Sequence, residues 1–319
     1  MTSLGSFLAT CPPVETGSLA RQFASSRSHL EQAFAHYDPI SHGSLLHQVG
    51  YHPEVSDQGL LGTVLFCLGY PEQALSRINA AIAEARRLAH PPTLAMCFGY
   101  GIRLLSLDAN NVGFREWVDQ LNAMAAEQGF PMWRAEATIY RGWAKVQAGD
   151  KPEGISLLRS GSAAYRATGA EIWRPHHIAL LARAYAIAGQ IEEAVTLVDD
   201  AVEILERTGE RWLASELHRY KGQFLQRQGH TNAAEQLYGN ALTIAREQGA
   251  KLWELRATMS LARLRRDQGR RAEALDLLAP IYGWFTEGFD TPDLKEVKAL
   301  LEELGRACPP AHGLLSGGR

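Results

Sequence analysis

Cysteine is scarce and scattered in this sequence. Cys11, Cys67, Cys97 and Cys308 form no CxxC pair. That spacing argues against a disulfide framework or a thiolate zinc site and fits a reducing, cytoplasmic setting. Long apolar runs are missing too, and nothing approaches the roughly 20 residues needed to span a bilayer. The opening MTSLGSFLATCPP has no basic stretch before its short apolar run, so no secretory signal is expected. Nor is there an excess of charge of one sign. A formal net charge of −3 gives no global pull toward nucleic acid or an anionic membrane.

Catalytic signatures are equally thin. No GxxxxGK[ST] loop is present to cradle phosphates. Gly99-Tyr100-Gly101 begins like a dinucleotide fingerprint but lacks the third glycine and a preceding strand. Ser160-Gly161-Ser162 does not complete GxSxG. Five histidines (His29, His36, His42, His47 and His52) lie near Asp38 and Glu54, and imidazoles suit zinc, nickel or copper. Their spacing is not the i, i+4 pair of a helical metal motif, and Pro39, Gly43 and Gly50 interrupt them. Loop hydrogen bonds and helix ends are the expected use, with a metal-dependent enzyme the minor alternative. No cofactor and no metal site is expected. His176-His177, after Pro175, reads as a cap-region or surface pair.

Glycine is plentiful, and it is periodic. Gly129, Gly149, Gly169, Gly189, Gly209, Gly229, Gly249 and Gly269 fall at an unbroken interval of 20 residues. Each follows a helix-like segment such as AKVQAG or AREQG, where glycine can take the left-handed conformation that closes a helix. One interval is one helix plus its turn, and two make a 40-residue unit. Trp133, Trp173 and Trp253 keep that register, with Trp212 one residue early. Small residues Gly142, Ala182, Gly222 and Ala262 recur midway along the first helix, where helices must approach closely. The second helices carry an apolar stripe at helical spacing: Ala194, Leu197, Val198, Ala201, Val202, Leu205. Two copies of it start at Ala234 and Ala274.

The pattern predicts an all-α helical-repeat solenoid with six helix pairs from about His52 to Phe285. A helix near Ser28–Tyr37 should precede them, and one from Thr291 to about Leu304 should cap them. The small first-helix residues, the stripe-opening alanines and the helix-pair period resemble tetratricopeptide repeats, which implies a right-handed tetratricopeptide-like solenoid. Residues 27–305 form the solenoid in this reading. Residues 1–26, rich in Ser, Gly and Pro, and the tail 306–319 are expected to be disordered.

Several stretches sharpen the resemblance: YDPISHGSLLHQVGYHPEV, CLGYPEQAL, ATGAEIWRPH, ERTGERWLASELHRYKG, LARLRRDQGR and LAPIYGWFTEGFDTPDLKEVKALLEEL. Over roughly residues 28–304 the chain resembles the C-terminal helical region of large bacterial signalling proteins. In those proteins a class III adenylate/guanylate cyclase domain, a STAND-like ATPase domain, or both, precede the repeats. The resemblance implies a regulatory sensor or docking array. It does not carry an activity here, because neither the phosphate loop nor a βαββ pattern for a cyclase is present.

Taking the small residue of each first helix as the fixed point, the next positions are Arg103, Trp143, Arg183, Gln223 and Arg263. In tetratricopeptide-like stacks such positions face a concave groove. Neighbouring groove positions supply Glu136, His176, Glu216, Arg219, Arg227, Arg256 and Arg266. The partner-binding candidates are therefore Arg103, Trp143, Arg183, Arg219 and Arg263: an arginine ladder for carboxylates with Trp143 as an aromatic anchor. The competing reading is a solvated helix face. The expected function is a non-catalytic protein or peptide-binding scaffold, its partner acidic. The alternative is a regulatory part acting on a separate cyclase or ATPase subunit.

Overall fold

The computed structural model describes residues 23–36, 50–107 and 112–306. Among these residues there are 14 α-helices and no strand. Helix α1 runs Phe23–His36, starting before the expected Ser28 because Phe23 is already buried. Six pairs follow: α2 Pro53–Leu68 with α3 Pro71–Arg87, and α4 Pro91–Ser106 with α5 Val112–Glu127. Next come α6 Pro131–Gln147 with α7 Lys151–Ala167, and α8 Arg174–Ile187 with α9 Ile191–Thr208. Then α10 Ala214–Arg227 pairs with α11 Thr231–Gln248, and α12 Lys251–Asp267 with α13 Arg271–Tyr282. The last helix, α14, spans Pro292–Gly305, and the Thr291 side chain accepts from the Leu294 amide at its start. The expected turn at Asp108–Asn111 lies outside the described residues.

The punctuation works as its chemistry requires. All eight glycines of the 20-residue series have positive φ, between 66° and 96°, a region that L side chains avoid. The mid-helix glycines act by absence of volume instead. A Cβ on Gly222 would stand 2.6 Å from the Tyr238 ring, and one on Gly142 would stand 2.7 Å from the Gly154 carbonyl.

The two helices of a unit are unequal. The outer ones bury one stripe, as in α9, where Ala194, Val198, Ala201 and Leu205 are enclosed while Leu197 and Val202 are half-buried. The inner ones are covered on several sides. Helix α12 buries almost every residue from Leu252 to Leu264, and α2 buries nearly all from Gly59 to Leu68.

Those two inner helices touch each other, and that contact decides the architecture. Phe66 of α2 meets Trp253 of α12 edge-on at 6.0 Å. Gly69 lies against Trp284, Phe285 and Lys251, and Tyr70 packs on Trp284 at 5.6 Å. The Glu287 carboxylate caps α3 by accepting from the amides of Glu72 and Gln73, and Glu72 accepts in return from the Gly288 amide. The array therefore curls through one turn until its last unit docks on its first. The segment 284–288, just before the helix expected to cap the array, is the other half of this seam. A small apolar cavity of about 120 Å³, lined by residues including Phe66, Leu75, Leu104 and Phe285, remains along it.

Candidate functional site: the filled centre and its arginine pocket

Curling brings the inner faces of all six units toward one axis, and their side chains fill it. Tyr100, Trp173, Trp212, Trp253 and Phe66 form a continuous file of ring contacts, with centroids 5.5–6.4 Å apart. Edge-to-face contacts of this kind add to what burial alone contributes. The tryptophans in repeat register are thus core residues: Trp173, Trp212 and Trp253 are all enclosed, and Trp133 is half-buried over Gly99. Trp212 occurs one residue early because only Glu210 and Arg211 separate it from Gly209. Glu210 accepts from the Trp212 indole at 3.0 Å and from the Trp173 amide at the start of α8. Burial pushes the Glu210 carboxyl up to about 7.

The expectation of a solvent-open ladder is corrected at Arg103 and Trp143. Arg103 is 2% exposed and Trp143 is 1% exposed, because the centre closes over both. Arg103 donates to Glu136 at 2.7 Å, and its guanidinium lies 3.8 Å from the centre of the Trp173 ring. Burial opposes the Arg103 charge, but Glu136 and the surrounding tyrosines keep it protonated. Arg227 donates instead to the Ala186 carbonyl, and Arg266 to Glu303 and Asp267.

His176 and His177 are also corrected, since both are 1% exposed rather than surface residues. His176 Nε2 lies 3.0 Å from the Ser106 hydroxyl, and His177 packs on Tyr165 at 4.7 Å. Burial lowers both imidazoles, His176 most strongly, so they are held neutral. In the unfolded chain a histidine takes up its proton below about pH 6.5. Their contribution to stability is therefore full above that pH and falls with acid, by at most about 1.4 kcal/mol per pH unit for each histidine. Glu210 acts oppositely: its raised pKa adds stability as pH falls through about 7 toward the ordinary carboxyl range. Asp57, likewise pushed up to about 7 by burial, acts in the same direction as Glu210, so the histidine contribution is read as the difference between the parent and a variant lacking one imidazole. Urea midpoints between pH 7.5 and 5.5 should fall less steeply in His177→Phe than in the parent; parallel curves would refute this assignment.

The remaining ladder residues converge. Arg183, Arg219, Arg256 and Arg263 line one cavity of about 160 Å³, with Asp293 and Glu296 on its far wall. Arg219 grips Glu216 through two bonds of 2.5 and 2.7 Å. Arg256 grips Asp293 at 2.9 and 2.7 Å, reaches Glu216 at 3.2 Å, and donates to the Leu107 carbonyl. Burial alone would raise the Glu216 carboxyl, yet Arg219 and Arg256 overcome it and hold it at about 2. Arg263 pairs with Glu296 at 2.9 Å where both are exposed.

Arg183 differs. It is sandwiched by Trp143 and Tyr220, with ring centres 4.4 and 5.3 Å from its guanidinium carbon. No carboxylate bonds to it among the described residues, and its Nη1 is buried without a partner. Burial, with repulsion from Arg219 and Arg256, lowers its pKa. The pocket thus carries four arginines against Glu216, Asp293 and Glu296, a surplus of one positive charge. Arg183 and Arg263, related by the 40-residue register, and Arg219, a neighbouring groove position, all line this cavity, but nothing local marked Arg183 as the one without a counter-ion.

The histidines of the 29–54 stretch do not gather into a cluster among the described residues. His29 and His36 are exposed on α1, and His52 stacks edge-on against His90 at 5.1 Å. Asp38, His42 and His47 lie outside the described residues. Among the described residues no three His, Cys, Asp or Glu side chains gather closely enough to hold a metal ion.

Comparison with known proteins finds tetratricopeptide repeats in two parts of the chain. Residues 175–200 and 255–280 match the tetratricopeptide repeat family. An uncharacterized protein of Rhizobium meliloti (strain 1021) is 24% identical over 223 residues, 67% of this chain and 21% of that protein. The chain therefore spans about a fifth of the length of that curated relative. Among solved structures, the apo form of RapI superposes with a TM-score of 0.52 at 12% identity, covering 95% of this chain and all of that one. A STAND protein with a tetratricopeptide repeat sensor from Pyrococcus horikoshii gives 0.45 at 14% identity, over 88% of this chain and 41% of that one.

Proposed function

Starting from a tetratricopeptide-like solenoid closed on itself, we propose that the chain is a non-catalytic module that binds an acidic protein or peptide at the arginine pocket. The carrying observation is Arg183, a guanidinium held between two rings with a buried nitrogen lacking a partner. A carboxylate there would satisfy that donor and cancel the surplus charge. Since the aromatic walls already fix the guanidinium, little ordering cost accompanies binding. Trp143 supports the cation from below, which replaces its expected role as a direct anchor.

The test is a peptide array with acidic and amidated or neutral versions of each sequence, screened with the parent, Arg183→Gln and the double variant Arg183→Glu/Arg263→Glu. A charged hydrogen bond is worth about 1.5–3 kcal/mol, so Arg183→Gln should weaken acidic peptides roughly 10- to 100-fold. The double variant should abolish the preference for acid. Equal binding by parent and Arg183→Gln would sink the reading.

A second reading is favoured by the length of the Rhizobium relative, of which this chain spans only a fifth. In it the module regulates a cyclase- or ATPase-type catalytic partner. Its discriminator is a phosphate-loop or cyclase domain in the same polypeptide or an adjacent gene. An unrelated neighbourhood counts against it.

A further inference from the structure

A second basic cleft lies away from the arginine pocket, where α7 meets α8. A cavity of about 300 Å³ there is lined by Arg159, Ser162 and Arg166 of α7 and by Arg174 and His177 of α8, with Tyr165, Ile178 and Leu181 as apolar walls. Three arginines line it and no carboxylate does. Arg174 is tied to Glu171, which also takes Arg207. Arg159 and Arg166 have no ion pair or hydrogen bond among the described residues.

Clefts at comparable places along the array include carboxylates in their linings. The one beside α6 contains Arg115, Arg141 and Lys145 but also Asp119 and Asp150, and Lys145 is bonded to Glu153. The one beside α12 contains Arg227, Arg263 and Arg266 with Asp267; Arg266 is paired with Asp267, Arg263 with Glu296, and Arg227 donates to the Ala186 carbonyl. Of these three clefts, the one at α7–α8 is the one whose lining holds no carboxylate.

Two further polar groups at this cleft are unsatisfied. The Ser162 hydroxyl and His177 Nδ1 are buried without hydrogen-bond partners, and Nε2 of the same ring is 3.8 Å from Glu136. Leaving such groups unpaired costs about 1–3 kcal/mol each, which a ligand oxygen would recover. Because burial keeps His177 neutral, its ring can offer one N–H without adding charge.

We propose that this cleft binds a small phosphate monoester. The two uncompensated guanidiniums match the charge of about −1.5 to −2 that such a group carries near neutrality. Guanidiniums fit phosphate oxygens in pairs, and Ser162 supplies a further donor. The volume is at the lower limit for ligand pockets, enough for a phosphate and a compact organic group against Tyr165, Ile178 and Leu181. The assignment is independent of the acidic-peptide reading, since it shares no residue with that pocket.

The experiment is calorimetric titration of the full chain with inorganic phosphate, phenyl phosphate and a phosphoserine peptide. It is repeated with Arg159→Gln/Arg166→Gln, whose parent side chains are exposed and unpaired, and with Arg183→Gln. Phenyl phosphate should bind one per chain, more tightly than inorganic phosphate. Losing two charge-assisted contacts should weaken it by about 30-fold or more in the double variant. Arg183→Gln should leave it unchanged. Three results would overturn the proposal: no saturable binding of phenyl phosphate at millimolar concentration, equal affinity in the double variant, or tighter binding of the phosphopeptide than of phenyl phosphate.

Discussion

Replacing Arg256 by leucine is expected to cost about 3–5 kcal/mol, the range found when one partner of a buried ion pair is removed. Arg256 is 5% exposed and ties together three distant parts of the chain. It donates to the Leu107 carbonyl at the end of α4, to Glu216 on α10 and to Asp293 in the first turn of α14. Leucine would fill much of the space but leave all three acceptors short of a donor. Glu216 would still hold Arg219, so Asp293 and the Leu107 carbonyl are the groups left stranded. The matched control is Arg263→Leu. That residue pairs with Glu296 where the side chains are 38% and 54% exposed, and such pairs are worth about 0–1 kcal/mol. Urea unfolding of both variants beside the parent makes the comparison; similar losses in the two would mean that Arg256 is not a hub.

Trp253→Ala should cost about as much, roughly 3–5 kcal/mol, for a different reason. Its ring is fully enclosed, meets Phe66 and Trp212, and its indole nitrogen donates to the Trp212 carbonyl at 3.0 Å. The cavity left behind would lie where α12 touches α2, so the loss should appear as opening of the seam as well as lower stability. Small-angle scattering should show a larger radius of gyration, and limited proteolysis should reach the 50–107 segment sooner. Trp133→Ala, at a half-buried ring outside the central file, should lower stability less and leave the radius unchanged. If the Trp253 variant keeps the parent's radius and cleavage pattern, that contact does not hold the ring closed.

These expectations rest on features that differ in how plainly the sequence carries them. The 20-residue glycine series is legible because each turn makes the same local demand, a left-handed residue after the last helical one. The stripes starting at Ala194, Ala234 and Ala274 are legible because each outer helix buries one face against its neighbours. Closure is not legible. It depends on small rotations between units that accumulate over the whole array, and no position in a repeat records their sum. Arg256 finds Leu107 across 149 residues, which is no multiple of the period. Hence Arg103 and Trp143, in register with open groove positions, are enclosed, while Arg183 in the same register lines a cavity. His176 and His177 are misleading for a related reason. A polar pair after proline at a helix start is ordinarily wet, and only the curl that brings Ser106 and Tyr140 over them makes it dry.

Closure also constrains how such a protein can change over generations. Open arrays lengthen or shorten by duplicating or deleting a unit, because each repeat answers only to its neighbours. Here the first and last units answer to each other, through Gly69 against Trp284 and Glu72 against Glu287 and Gly288. A seventh helix pair would drive that joint apart, and an array of only five would leave it unmet. The repeat number is therefore fixed like the number of staves in a barrel, leaving surface loops and side chains as the places where lineages can diverge.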